Sequence, residues 1–177
     1  LSVERVWKEV KKLLAAPDPR AAWEGMKAIE VRARALPEMA DEARLDALCT
    51  LEADLMLPVD AMTRVAASLA GQDSARALAR RLKLSNEERD RLVAALGDDE
   101  KITSYMSLRE MRRAIYRLGN EAFRDRVMLA WARAGLEKSQ AWRALVAHAQ
   151  MWTPPKLPLS GDEVMAAGVP AGPKVGL

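Results

Sequence analysis

From Val3 onward the apolar residues recur every three or four positions, and nowhere do they alternate over a useful length. A period near 3.6 places them along one side of a helix, whereas a half-buried strand needs a period of two. Proline, glycine and polar clusters cut the pattern into short lengths, so the chain must pack several short helices against one another. The first predicted helix spans 3–15, with Val6, Val10, Leu13 and Leu14 on one side and Pro17-Asp18-Pro19 as its stop. Further helices are predicted over 20–29, 41–54 and 60–70, with joints at Leu36-Pro37-Glu38 and Leu57-Pro58. Asp73 or Ser74 is read as the cap of the next, in which Ala75, Leu78, Ala79 and Leu82 form one stripe.

Three later starts have the capping-box form, in which a serine accepts from the amide three residues on and a glutamate there reaches back. They are Ser85 with Glu88, Ser107 with Glu110, and Ser160 with Glu163. Helices over 85–97, 107–118, 120–134 and 138–151 follow, with Gly97, Gly119 and Gly135 as stops. The expected fold is all-α: a bundle of about ten helices with a small C-terminal helical tail unit. The expected organisation is a first helical region over 1–70, a body over 71–152 and a tail over 153–177, set off by Met151-Trp152-Thr153-Pro154-Pro155. No fixed repeat period is present, which argues against a solenoid. Gly172-Pro173 has the form of a helix start four residues before the last, and Leu1-Ser2-Val3 enters a helix without an initiator methionine. The chain therefore reads as a piece of a longer protein.

Candidate catalytic groups are few. One cysteine and one histidine, Cys49 and His148, fall in different predicted helices and cannot assemble a zinc site. Cys49 follows Leu45 and Leu48 and is read as core, and His148 as a helix-surface residue. No glycine-rich phosphate loop or nucleophile elbow occurs. Asp98-Asp99-Glu100 is read as a solvated loop rather than a magnesium site. No catalytic residue, metal or cofactor is expected in this chain, and the reading is that it is no enzyme alone. The absence of a disulfide pair, a signal pattern and an apolar run of about 20 residues predicts a cytoplasmic protein without a membrane partner.

Charge distribution is more informative. Between Ser74 and Arg143 stand 16 Lys and Arg against 10 Asp and Glu, whereas the whole chain has a net charge of +3. A basic middle points to an anionic partner. On a helical wheel of Ser107 to Leu118, Leu108, Met111, Ala114, Ile115 and Leu118 fill one arc. Arg109, Arg112, Arg113, Tyr116 and Arg117 fill the other. Guanidinium forks suit phosphate oxygens, and a tyrosine among them can stack on a base. Arg76, Arg80 and Lys83, with Arg81 beside them, line an earlier helix, and Arg124 and Arg126 follow later. The alternatives are a solvated face with a few ion pairs, or a face that meets an acidic partner protein as an adaptor would.

Three segments carry a family resemblance: RLKLSNEERDRL over 81–92, IYRLGNEAFRDRVMLAWA over 115–132, and WTPPKLPLSGDEVMAAGVPAGPKVG over 152–176. They resemble the C-terminal half of bacterial poly(A) polymerases and CCA-adding tRNA nucleotidyltransferases, and SVERVWKEVKKLL over 2–14 looks like the stretch just after that family's catalytic motifs. The resemblance covers nearly the whole chain. It implies an all-helical neck, body and tail that hold tRNA or another RNA, while an N-terminal head with Mg and ATP or CTP adds nucleotides to the 3′ end. The chain departs from the family in having none of the head's motifs, G-G-x-V-R-D, D-x-D, R-R-D or E-D-x-x-R, so no catalytic residue carries over. Which nucleotides the parent adds would be decided in that head. In the tail, Gly172 and Lys174 form either a phosphate contact at a helix start or a simple cap.

Overall fold

The computed structural model describes residues 2–155, together with Met165 and Gly168. Among these residues the chain forms ten helices and no strand. They are α1 (Val3–Leu14), α2 (Arg20–Ala28), α3 (Val31–Ala35), α4 (Glu42–Leu55), α5 (Ala61–Ser68), α6 (Gln72–Leu82), α7 (Asn86–Ala95), α8 (Leu108–Leu118), α9 (Asn120–Ala134) and α10 (Ser139–Met151). The all-α bundle expected from the periodicity is thus the observed fold. One helix, α3, is an addition, because five residues are too few to show a period. The third capping box, Ser160 with Glu163, and the tail sites Gly172 and Lys174 lie outside the described residues.

Two helices form the centre. Every residue of α5 from Thr63 to Ser68 is buried, and α9 buries Phe123, Val127 and Trp131 completely. α5 packs on α1, α4, α7 and α9, while α9 also receives α8 and α10. α6 lies against α7 and α1. A single apolar cluster runs from Trp7 to Ala149, continuous across the α5–α6 turn near Gly71. Cys49 sits in this core, where burial pushes its thiol up to about 11, so it is a protonated hydrophobe at neutral pH.

The helix starts follow local chemistry. Ser85 accepts from the Glu88 amide while the Glu88 carboxylate accepts from Ser85 N, and Ser107 and Glu110 repeat the arrangement. Glu88 also accepts from Trp7 Nε1 at 3.1 Å and from Lys11, which ties the start of α7 to α1. α6 begins earlier than expected: Ser74 is at its third position, and its hydroxyl accepts from Gly71 N at 3.0 Å. Gly119 and Gly135 adopt positive φ as helix stops should, at 80° and 72°. Gly97 does not stop α7 in that way. A Cβ there would stand 2.2 Å from Arg126 Nη2, so a side chain at this position would displace the guanidinium that passes over it.

The helix ends follow a rule that involves other helices. Arg64 on α5 is fully buried and donates to the carbonyls of Leu14 at 2.8 Å, Ala16 at 2.5 Å and Pro17 at 3.0 Å. The Leu14 carbonyl ends α1 and has no partner within it, and those of Ala16 and Pro17 lie in the turn that follows. The remaining edge of the guanidinium donates to Glu52 of α4 at 2.7 Å. Burial pushes the Glu52 carboxyl upward, with the Arg64 contact opposing. Removing one member of such a pair leaves an uncompensated buried charge and orphaned carbonyls. Arg64→Ala is expected to lower unfolding free energy by about 3–5 kcal/mol in urea denaturation, more than truncating any exposed arginine.

Candidate nucleic-acid interface

α8 is an amphipathic helix held chiefly on one side. It packs against α9 through the buried Ala114 and Ile115, with Met111 and Leu118 half-buried. Leu108, predicted to share this stripe, is exposed because it precedes the first turn that touches α9. Arg109, Arg112, Arg113, Tyr116 and Arg117 all stand exposed on the other side, as the wheel requires.

Their partners differ. Arg117 is paired with Glu100 from the preceding loop. Arg109 and Arg113 have no carboxylate or carbonyl partner among the described residues, and Arg112 instead lies over the Trp152 ring at 5.6 Å. That ring is in turn stacked near His148, with centroids 6.1 Å apart. Asn120 fixes the segment after α10 by donating to the carbonyls of Ala149 and Trp152, both at 2.6 Å. Trp152 thus supports the basic face, a role that its place in a proline-rich stretch did not signal.

A second aromatic flanks the same helix. Tyr105 is 77% exposed and Tyr116 is 59% exposed, and these are the two tyrosines of the chain. Tyr105, Met106, Lys101 and Arg113 line a hollow of about 320 Å³ beside the start of α8. Tyr105 lies in a loop where no periodicity marks it, so the sequence reading passed over it.

The other predicted basic residues divide. Arg80 on α6 is exposed and makes no ion pair among the described residues, Arg76 pairs with Asp73 at 3.0 Å, and Lys83 pairs with Glu4 at 3.5 Å. The main packing partners of α6 are α7 and α1, and that of α8 is α9, so the two stripes do not share a packing contact. Arg81, Arg124 and Arg126 are engaged by neighbouring helices and loops. Arg81 binds Glu38 through two nitrogens, at 2.7 and 2.6 Å, and donates to Ala35 O at the end of α3. Arg124 bonds Asp60 at 2.8 Å and Asp125 at 3.1 Å. Arg126 is 6% exposed, donating to Ala94 O at the end of α7 and to Asp99, both at 2.7 Å. Helical spacing reads which residues share a helix face, but not which face a neighbouring helix covers.

The acidic loop is likewise engaged: Asp99 holds Arg126 and Glu100 holds Arg117. Among the described residues no group of three metal-ligating side chains occurs, and none of their helices is long and apolar enough to cross a membrane. No protein-family model matches the chain, and no curated protein matches it.

The network around Arg124 can be tested by pH. Asp60 uses one carboxylate oxygen to cap α5, accepting from Met62 N and Thr63 N, and the other to accept from Arg91 at 2.7 Å and Arg124. Burial would raise its pKa, but donation from Arg91 and the charges of Arg91 and Arg124 outweigh burial and hold the carboxyl below its usual value. A carboxyl depressed in the folded state stabilises above its unfolded pKa and loses that contribution as pH falls through the folded one. Asp60→Asn keeps a capping oxygen and removes the charge. It is expected to cost about 1–3 kcal/mol above roughly pH 5, with the gap from wild type closing below about pH 4 in denaturation series.

Proposed function

We propose that this chain grips RNA through the exposed face of α8. The observation that carries this reading is that Arg109, Arg112 and Arg113 crowd one helix face without a carboxylate among the described residues to neutralise them, with Tyr116 among them. Like charges three and four residues apart repel, and phosphate oxygens relieve the repulsion while filling the guanidinium forks. Contacts of this kind position a nucleic acid without reading its sequence, and the exposed tyrosines add stacking surfaces for unpaired bases. Arg117 contributes where Glu100 releases it, and Arg80 extends the positive field from a separate helix.

The resemblance to tRNA nucleotidyltransferases and poly(A) polymerases supports naming the RNA as one that is extended at its 3′ end. In that reading the chain holds the body of a tRNA or another RNA in the cytoplasm, and a catalytic head outside these residues, with Mg and ATP or CTP, adds the nucleotides. Gly172 and Lys174 of the tail would belong to the same hold.

The test is a fluorescence-anisotropy titration with labelled tRNA lacking its CCA end, at two salt concentrations. Wild type should bind with an affinity that falls steeply with salt. Arg109→Ala/Arg112→Ala/Arg113→Ala should reduce the log–log salt slope by about 2 to 3, with an unchanged melting temperature. Equal affinity and slope in the folded triple variant would overturn the assignment and favour an acidic protein as the partner of this face.

A further inference from the structure

A separate cavity of about 430 Å³ opens between the end of α7, the loop after it and α9. This lies within the usual size range of small-ligand sites. Its wall is cationic: Arg44 comes from α4, Lys101 from the loop, and Arg126 and Arg133 from α9. The carboxylates on the wall are Asp98 and Glu100, and Glu100 is already paired with Arg117.

The four cations play two parts. Arg44 and Arg126 are nearly buried and already engaged, Arg44 by the carbonyls of Ala67 and Leu69 and by Asp41 at 3.2 Å, and Arg126 by Ala94 O and by Asp99 at 2.7 Å. Arg126 Nη1 has no hydrogen-bond partner. Lys101 and Arg133 are exposed and make no ion pair among the described residues. Burial, and after it the nearby charge of Arg133, push Arg44 below the usual arginine range, with Asp41 opposing. The unpaired charge on the wall therefore comes from the exposed Lys101 and Arg133, and the buried Arg126 adds a donor, Nη1, that lacks a partner among the described residues. A phosphate group, compact and with several acceptor oxygens, matches that charge and those donors.

We propose that this cavity binds a phosphate group, with Arg133 and Lys101 donating to its oxygens and Arg126 Nη1 offering a further donor from the wall. The cavity adjoins the hollow beside α8, sharing Lys101 and Glu100 with it, but the proposal does not rest on RNA binding there. The phosphate could belong to a free nucleotide or to a nucleic-acid chain, and competition separates the two.

Isothermal titration of the whole chain with inorganic pyrophosphate tests the site. Wild type and Arg5→Ala, which removes an exposed arginine elsewhere, should bind saturably and alike. Lys101→Ala/Arg133→Ala should bind roughly tenfold or more weakly with an unchanged melting temperature in the absence of pyrophosphate. The α8 triple variant should retain binding, which distinguishes failure of this site from failure of the RNA reading. No saturable binding by wild type, or equal binding by the Lys101/Arg133 double variant, would overturn the proposal. Given binding, displacement of a labelled oligonucleotide by pyrophosphate assigns the site to nucleic-acid phosphate, whereas ATP competing with pyrophosphate without displacing the oligonucleotide assigns it to free nucleotide.

Discussion

The contact on which the bundle most depends is the Arg64 guanidinium, sealed between the end of α1 and the Glu52 carboxylate. A buried ion pair is not stabilising by virtue of its charges, because desolvation offsets much of their attraction. Here the same guanidinium also satisfies the Leu14 carbonyl, which the α1 terminus leaves without a partner, and those of Ala16 and Pro17 in the turn that follows. Its positive charge meets the negative end of the α1 dipole. A single side chain thereby fixes where α1 stops, how α5 lies against it and which face of α4 turns inward.

The device recurs. Arg44 of α4 donates to Ala67 and Leu69 at the end of α5, Arg81 of α6 to Ala35 at the end of α3, and Arg126 of α9 to Ala94 at the end of α7. Arg143 of α10 reaches Leu55 O, the last residue of α4, at 2.7 Å. In each case a long, planar, always-charged group crosses from one helix to close the C-terminus of another, a task for which lysine lacks the fork. Arginine abundance in this chain is therefore partly architectural. The count of basic residues between Ser74 and Arg143 overstates the charge open to a partner, since Arg81, Arg91, Arg124 and Arg126 are all neutralised inside the protein.

What could be read from the sequence is what depends on residues within one helix. The bundle, most helix bounds, two capping boxes and the polarity of α8 all follow from spacings of three or four. Interactions between helices left no such mark. Arg64 and Glu52 are twelve residues apart on different helices, and Thr63 and Asp125, joined by a 2.9 Å hydrogen bond, are farther still. Gly97 looked like a stop signal because glycine after a helix usually is one, and the guanidinium above it comes from a residue on α9. The same limit explains why Arg109 and Arg126 looked alike: each is an arginine near a carboxylate, and their difference lies in what α7 and its following loop bring to Arg126.

α8 departs from this economy, and its stability shows how the departure is sustained. Arg109, Arg112, Arg113 and Arg117 form like-charge pairs at three- and four-residue spacing, each unfavourable by roughly 0.2–0.5 kcal/mol. Against these stand the Ser107–Glu110 capping box, of the order of 1 kcal/mol, and the placement of Arg117 in the last turn, where the dipole favours a cation. Burial of Ala114 and Ile115 against α9 contributes more than either. The helix can therefore carry unneutralised charge without losing its structure, provided one end is capped and one face is packed. Elsewhere in the molecule most arginines, Arg64, Arg91 and Arg126 among them, are placed opposite a carboxylate or a helix end. In α8 a local rule is broken in one place, and the compensation is built around it.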